Sequence, residues 1–273
     1  MAAGLVLLPL LALVSCAVLS LTAMQRGTAA GWRSGGLAAV ALAGVAFASG
    51  TPPQVLVASA ASLWVPALAV TQILARSGSL SLAAQLATAT TVLVAGGWAV
   101  FAPESVLAWK EPVQAIVAPF AGQTGIAPEV LVERLLPLVP GILPASLLAA
   151  ALAGLFLAMW LHAGLSNPGA FGEAFRGLQL GPILGGAALL AVVAVAMTGS
   201  AVAAAVALPL VTALAMQGLA VMHGLARAKH WHRAWVAAGW AAFVLLSPWA
   251  TMGFALYGLA DTFMNLRRPA KGT

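Results

Sequence analysis

The sequence predicts an all-α protein, a single polytopic bundle of about eight transmembrane helices. Three observations carry that prediction. Charged residues make up 7% of the 273 positions, against roughly 25% in an ordinary soluble domain. Hydrophobic residues reach 62% before the 28 Gly are added, more apolar surface than a water-facing exterior can hide. The apolar residues also fall in long unbroken blocks, not in the alternating segments of roughly ten residues that build a β-barrel. The same composition excludes a disordered chain.

A spanning helix needs about 20 mostly apolar residues. The blocks that meet or approach this are 3–24, 34–50, 54–75, 80–101, 135–163, 180–197, 201–226 and 234–266. The first contains Leu13-Val14-Ser15-Cys16, a loose fit to a lipoprotein cleavage box. No Lys or Arg precedes it, so 3–24 reads as a retained span. Block 34–50 is short and rich in Gly and Ala, which suits a tilted or deeply packed helix. Thr51-Pro52-Pro53, Arg76-Ser77-Gly78-Ser79 and Thr198-Gly199-Ser200 are turn chemistry between spans. Segment 102–134 is the one sizeable polar excursion. Val106, Trp109, Val113, Ile116 or Val117, and Phe120 recur there at helical spacing, with Glu104, Lys110, Glu111 and Gln114 on other faces. It predicts an amphipathic segment on the outer membrane surface, either a plug between spans or a lid, broken at Gly122-Gln123-Thr124-Gly125.

The last block is 33 residues long and interrupted at Ser247-Pro248. Pro lacks the helical N–H and clashes one turn back, so the block is either a Pro-broken last span or a short hairpin. Charge bears on the choice. The formal net charge is +6. Loops 25–33, 76–79, 164–179 and 227–233 hold seven basic residues, Arg26, Arg33, Arg76, Arg176, Arg227, Lys229 and Arg233. The alternate loops hold two, Lys110 and Arg134, beside Glu104, Glu111, Glu129 and Glu133. The positive-inside rule puts the first set in the cytoplasm and the N-terminus outside. Eight spans would then strand Arg267, Arg268 and Lys271 outside, whereas a hairpin at Pro248 would return them.

Basic residues stand singly between apolar blocks, which argues against a nucleic-acid partner. The lone Cys16 excludes an internal disulfide and a cysteine-based metal cluster. His230 and His232 form a His-x-His pair without a nearby acid or Cys, too little for a metal site. With Arg227, Lys229, Arg233, Trp231 and Trp235 they read as an interfacial belt drawn to anionic lipid. The expectation is therefore no cofactor and no metal, with the lipid bilayer and another membrane subunit as partners.

Catalytic signatures are absent. There is no Gly-rich phosphate loop, no His-Glu-x-x-His and no Gly-x-Ser-x-Gly. Asp261 is the one acid inside a block, so an intramembrane aspartyl pair is lacking, and the expectation is a protein that is not an enzyme. Six polar residues inside the blocks are candidate ligand contacts: Gln72, Gln85, His162, Gln217, His223 and Asp261. The competing role for each is an interhelical hydrogen bond, worth about 0.6 kcal/mol on average in a membrane. Tyr257, Asp261 and Asn265 recur at i, i+4, i+8, with Arg268 seven beyond Asp261. On one helix face, Asp261 would be neutralised by Arg268 or bonded by Tyr257. Ala12, Cys16 and Ser20 make a small-residue ridge, suited either to packing within the bundle or to docking another membrane subunit.

Met216-Gln217-Gly218-Leu219-Ala220-Val221-Met222-His223 resembles the QGLAV-H stretch of the YybS-like family of bacterial inner-membrane proteins, a domain of unknown function. Gly258-Leu259-Ala260-Asp261 followed by Arg267-Arg268, and the Pro-rich Leu135-Leu136-Pro137-Leu138-Val139-Pro140, resemble that family too. The likeness covers about 135–268 and is diffuse over 1–134. That family is distantly similar to the substrate-binding membrane subunits of energy-coupling-factor transporters, helical bundles that hold one small molecule and dock a partner through small residues on their first helix. The resemblance implies a multi-pass protein of the bacterial inner membrane that binds a small molecule, with Ala12, Cys16 and Ser20 at a docking surface. A scaffold in envelope biogenesis is the alternative. An intramembrane enzyme would require His162, His223 and Asp261 to converge.

Overall fold

The computed structural model describes residues 2–267, with side chains described over 10–119 and 125–267. It is an all-α bundle. The helices are α1 (Ala2–Arg26), α2 (Thr28–Ala48), α3 (Pro53–Ser77), α4 (Leu80–Phe101), α5 (Lys110–Thr124), α6 (Pro128–Leu135), α7 (Val139–Ser166), α8 (Ala170–Arg176), α9 (Gly181–Thr198), α10 (Ala201–Ala228), α11 (Arg233–Leu245) and α12 (Trp249–Met264). Short 3-10 segments, Pro103–Trp109 and Leu136–Leu138, flank α5 and α6. Among the described residues, six helical stretches are long and apolar enough to cross a membrane, as an integral membrane protein requires. The shorter apolar stretches include Leu10–Arg26 of α1.

The turns form as their chemistry dictates. Gly78 and Gly199 end α3 and α9 in the left-handed region, at φ 65° and 62°, where a Cβ would be strained. The Ser that follows each glycine then caps the next helix. Ser79 Oγ accepts from Leu82 N and Ser200 Oγ from Ala203 N, satisfying an N–H that the first turn leaves free. One Gly-Ser pair thus serves as both stop and start.

At the centre stands α10, the most enclosed of the long helices. It packs on α4, α7, α9 and α12, while α1, α2 and α3 pack together and close on α7. Helices in lipid gain little from apolar burial against one another, because the tails are equally apolar, so small residues that admit close backbone contact decide the pairing. The closest approach is α10 on α12. A Cβ at Gly218 would strike the carbonyl oxygen of Phe254, and one at Gly258 would strike that of Leu214.

Block 234–266 is not an eighth span. It divides into α11 of 13 residues and α12 of 16, about 20 and 24 Å at 1.5 Å per residue, short of the ~30 Å hydrocarbon core. The Ser247-Pro248 peptide between them is cis. The two helices form a hairpin that enters and leaves at the same end. Trp240 on α11 bonds His223 near the end of α10, the rings of Phe243 and Phe254 meet at 5.8 Å, and Arg267 donates to the carbonyls of Arg176 and Leu178. Arg267 therefore sits beside the basic loops, and the charge conflict of an eight-span topology disappears. The same end gathers the turn after α3: Ser81 Oγ donates to Gly177 O at 3.3 Å and accepts from Gln179 N at 3.0 Å.

At the other end, segment 102–134 is helical, as its spacing predicts. The break falls at Gly125, with φ 66°, and α5 runs through to Thr124. This α5 packs mainly on α6 and the first 3-10 segment, with Val117 buried and Ile116 exposed.

Two outcomes follow from the hairpin. Gly218→Ala or Gly258→Ala should push α12 off α10 and lower stability by about 2–3 kcal/mol, an overpacking penalty. Gly253→Ala, whose Cβ meets nothing within 4 Å, should be neutral or slightly stabilising; thermal unfolding in detergent compares the three. In a Cys16→Ala background, an impermeant thiol reagent should label Glu173→Cys, Lys229→Cys and Met264→Cys from one side of the membrane and Glu111→Cys from the other. Labelling of Met264→Cys from the side of Glu111→Cys would restore the continuous span.

Candidate functional site

The polar residues of the bundle fall into two groups, those bonded within it and those gathered at its basic end. Gln217 belongs to the first and is its hub. It is fully buried on α10. Its Oε1 accepts from Leu180 N at 2.8 Å, and its Nε2 lies 3.0 Å from Gly258 O, 3.0 Å from Asp261 Oδ2 and 3.1 Å from Thr262 Oγ1. Asp261, 1% exposed, receives a fork from Arg267: Nη2 to Oδ2 at 2.6 Å and Nε to Oδ1 at 3.2 Å. Both cation and anion are thus bonded on several sides, the condition under which a buried pair is tolerated.

The partner of Asp261 is therefore Arg267, and Arg268 lies outside the described residues. The predicted i, i+8 face is cut short, because α12 ends at Met264. Asn265 caps it at φ 55° with its N–H on Asp261 O, a conformation Asn tolerates. That reversal swings Arg267 back towards the carboxylate. Tyr257 packs against the main hydrophobic core.

Gln72 accepts from Trp32 Nε1 at 2.8 Å, tying α3 to α2. Gln85 donates to Gln179 O at 2.9 Å, tying α4 to the loop after α8. These glutamines serve as interhelical ties, and neither lines the large cavities at the basic end. Cys16 and Ser20 are fully buried inside this chain. A Cβ at Gly154 of α7 would come within 2.6 Å of Cys16 Cβ, and Ser20 Oγ accepts from Thr71 Oγ1 of α3 at 2.9 Å. The ridge Ala12, Cys16, Ser20, expected at a docking surface for another subunit, has two of its three members turned inward onto α3 and α7; Ala12 is half-buried.

The second group surrounds a cavity of about 820 Å³ between α1, α7, α8, α10 and α11. Ligand pockets commonly span about 300–1,000 Å³. Its wall is an aromatic relay. Phe175 meets Phe156 edge-on at 5.2 Å, stacks on Phe171 at 5.6 Å, and meets His223 edge-on at 5.4 Å. His223 in turn faces Trp240, whose Nε1 donates to His223 Nε2 at 2.8 Å. Indole only donates, so Nε2 is the acceptor and the neutral imidazole carries its proton on Nδ1. Arg176, His223 and Trp240 also line a second cavity of about 600 Å³, together with Arg227, His230 and Arg233. No acidic side chain lines either cavity.

Of the six candidate ligand contacts, only His223 lines these cavities. His162 lines neither, although its neighbours Leu161 and Ala163 line the larger one. Its Nδ1 is the one buried side-chain N or O atom among the described residues that lacks a hydrogen-bond partner. His232 caps α11, its Nδ1 accepting from Ala234 N at 3.2 Å, and His230 takes the left-handed conformation, φ 52°, in the turn before it. Among the described residues no three His, Cys, Asp or Glu side chains gather as a metal site needs. The residues that sequence reasoning missed are Phe156, Phe171, Phe175, Arg176 and Trp240. An aromatic at helical spacing looks the same whether it faces lipid, core or cavity, so no sequence signal marked them. No family model, curated protein or solved structure matches the chain.

The Gln217 hub makes a direct prediction. Asp261→Asn or Arg267→Gln leaves a buried partner uncompensated and should lower stability by about 3 kcal/mol each. The double variant should lose less than the sum of the two singles, because the stranded charge is gone. Thermal unfolding of the four proteins in one detergent measures the coupling.

Proposed function

We propose that this protein is a small-molecule-binding membrane subunit of the bacterial inner membrane, similar in role to the substrate-binding subunits of energy-coupling-factor transporters, and that the ligand occupies the aromatic cavity beside His223. The observation that carries the reading is the pairing of an 820 Å³ aromatic cavity with a cluster of cations at one end of the bundle. Helices in a membrane gain by packing closely, and this recess beside α7 is left unfilled by them. The YybS-like resemblance of Gln217, Gly218, Gly258 and Asp261 fits the same reading, because these residues build the hub that holds α12 and hence the hairpin in place.

The reading involves no covalent chemistry. His223 lines the cavity, Asp261 is enclosed by Gln217 and Arg267, and His162 lines neither space. A scaffolding role is the second reading. It is favoured by a different observation: Gln72, Gln85, Gln217 and Asp261 are all bonded between elements of the same chain.

Gly164 separates the two. It lines the cavity, and a Cβ placed there meets nothing within 4 Å. Gly164→Leu should place a side chain in part of the space without strain, and leave stability unchanged or raised by about 0.5–1 kcal/mol from the helix preference. Mass spectrometry of small molecules retained by the protein from mild detergent should find a species in the wild type that this variant retains less of. Identical retention by both would sink the binding reading and leave the scaffold.

A further inference from the structure

We infer that the two adjoining cavities, which share Arg176, His223 and Trp240, together take an amphipathic anion: an apolar or aromatic body in the larger one, seated against Phe156, Phe171 and Phe175, and a phosphate or carboxylate head at the smaller one, held by Arg176 with Arg227 and Arg233. This inference rests on the binding reading above and names the chemical class of the ligand.

The one ion pair among the described residues is Arg267 with Asp261, so Arg176, Arg227 and Arg233 converge on one space with no carboxylate partner. Arg176 is half-buried beneath that space, and its guanidinium folds back over Gly172, where a Cβ would meet Nη1 at 2.8 Å. Glu173, one turn before, lines neither cavity. A guanidinium presents parallel N–H groups that match the oxygens of phosphate or carboxylate. His223 adds a neutral donor, since Trp240 engages Nε2 and leaves the proton on Nδ1. A cationic ligand would meet repulsion from three arginines and find no acid, and a neutral one would leave them unused.

The wall that would seat the body is aromatic from α7 through α8 to α11, and it opens sideways. Trp160 and Leu165, at the basic end of α7, line the cavity and are 59% and 75% exposed on the outside of the bundle. An apolar body can therefore enter from the bilayer while its head stays at the interface, where basic and aromatic residues gather. The cations sit on the side that the positive-inside rule assigns to the cytoplasm, so the head enters from that leaflet.

Such a ligand has two sources, an anionic membrane lipid or a soluble aromatic anion, and the experiment separates them. Full-length protein in dodecyl maltoside is titrated with phosphatidylglycerol or phosphatidylcholine, and separately with 1-naphthyl phosphate or 1-naphthol, and read by native mass spectrometry. In one pair or both, the anion should bind at least about tenfold more tightly than its neutral or zwitterionic counterpart, about 1.4 kcal/mol. Arg176→Gln combined with Arg227→Gln should erase that preference, and Gly164→Leu should weaken binding severalfold. The naphthyl pair alone would name a soluble ligand, and the lipid pair alone a membrane lipid. Equal binding of anion and counterpart, unchanged by the arginine variants but weakened in Gly164→Leu, overturns the anion and leaves the cavity reading intact. Absence of any species whose binding Gly164→Leu weakens overturns both.

Discussion

The side chain of Gln217 is the interaction on which the rest of this structure depends. An unsatisfied polar group in hydrocarbon costs several kcal/mol, so a buried glutamine compels its surroundings to supply partners. Its carbonyl takes the N–H of Leu180, which fixes the loop leading into α9, and its amide reaches Gly258 O, Asp261 and Thr262, which fixes α12. Gly218, the next residue, removes the side chain that would hold α12 away. Arg267 then closes the far side of Asp261 and ties the chain to the carbonyls of Arg176 and Leu178. Packing and polar satisfaction meet at adjacent positions, so neither stands without the other.

The cavity follows from this anchoring. With α12 clamped to α10, α11 is held at the basic end, and Trp240 lands on His223 about two turns beyond Gln217. α8 brings Phe175 to the other face of the same imidazole. The wall is therefore assembled from four elements, α7, α8, α10 and α11, that share no local sequence pattern. Elsewhere in the bundle polar side chains find partners within the chain: Gln72 on Trp32, Gln85 on Gln179, Thr71 on Ser20. At the basic end, Arg176, Arg227 and Arg233 converge on one space with no carboxylate lining it.

Much of the fold was legible in the sequence. Most apolar blocks, the Gly-Ser turns at 78–79 and 199–200, and the helical excursion at 102–134 appear with ends within a few residues of those read from composition and spacing; α2 instead begins at Thr28, six residues before its block, so the loop expected over 25–33 shrinks to Gly27. The break at Ser247-Pro248 was legible as well, though not its consequence. Whether a chain crosses or returns depends on where its far end finds partners, and Arg267 finds them 91 and 89 residues away, at Arg176 and Leu178. The candidate site was legible only in part. Of the polar residues singled out, Gln217 and Asp261 proved to hold the hairpin, and His223 alone borders the cavity. The small ridge at Cys16 and Ser20 has the same composition whether it meets α7 or another protein, and only its neighbours distinguish the two.

The sequence by itself determined the solvent this protein lives in, the class of its fold and the end at which its positive charge collects. Those properties are sums over residues: apolar length against bilayer thickness, and basic residues counted loop by loop. The tertiary structure decided the rest: that the last block turns back, that Arg267 is the partner of Asp261, and that Phe156, Phe171, Phe175 and Trp240 enclose a space beside unpaired arginines. Each of these is a juxtaposition of side chains from distant helices. Generic apolar contact selects little in lipid, so close approach at small residues such as Gly218 and Gly258, with the demand of Gln217 for particular partners, fixes how α12 sits on α10.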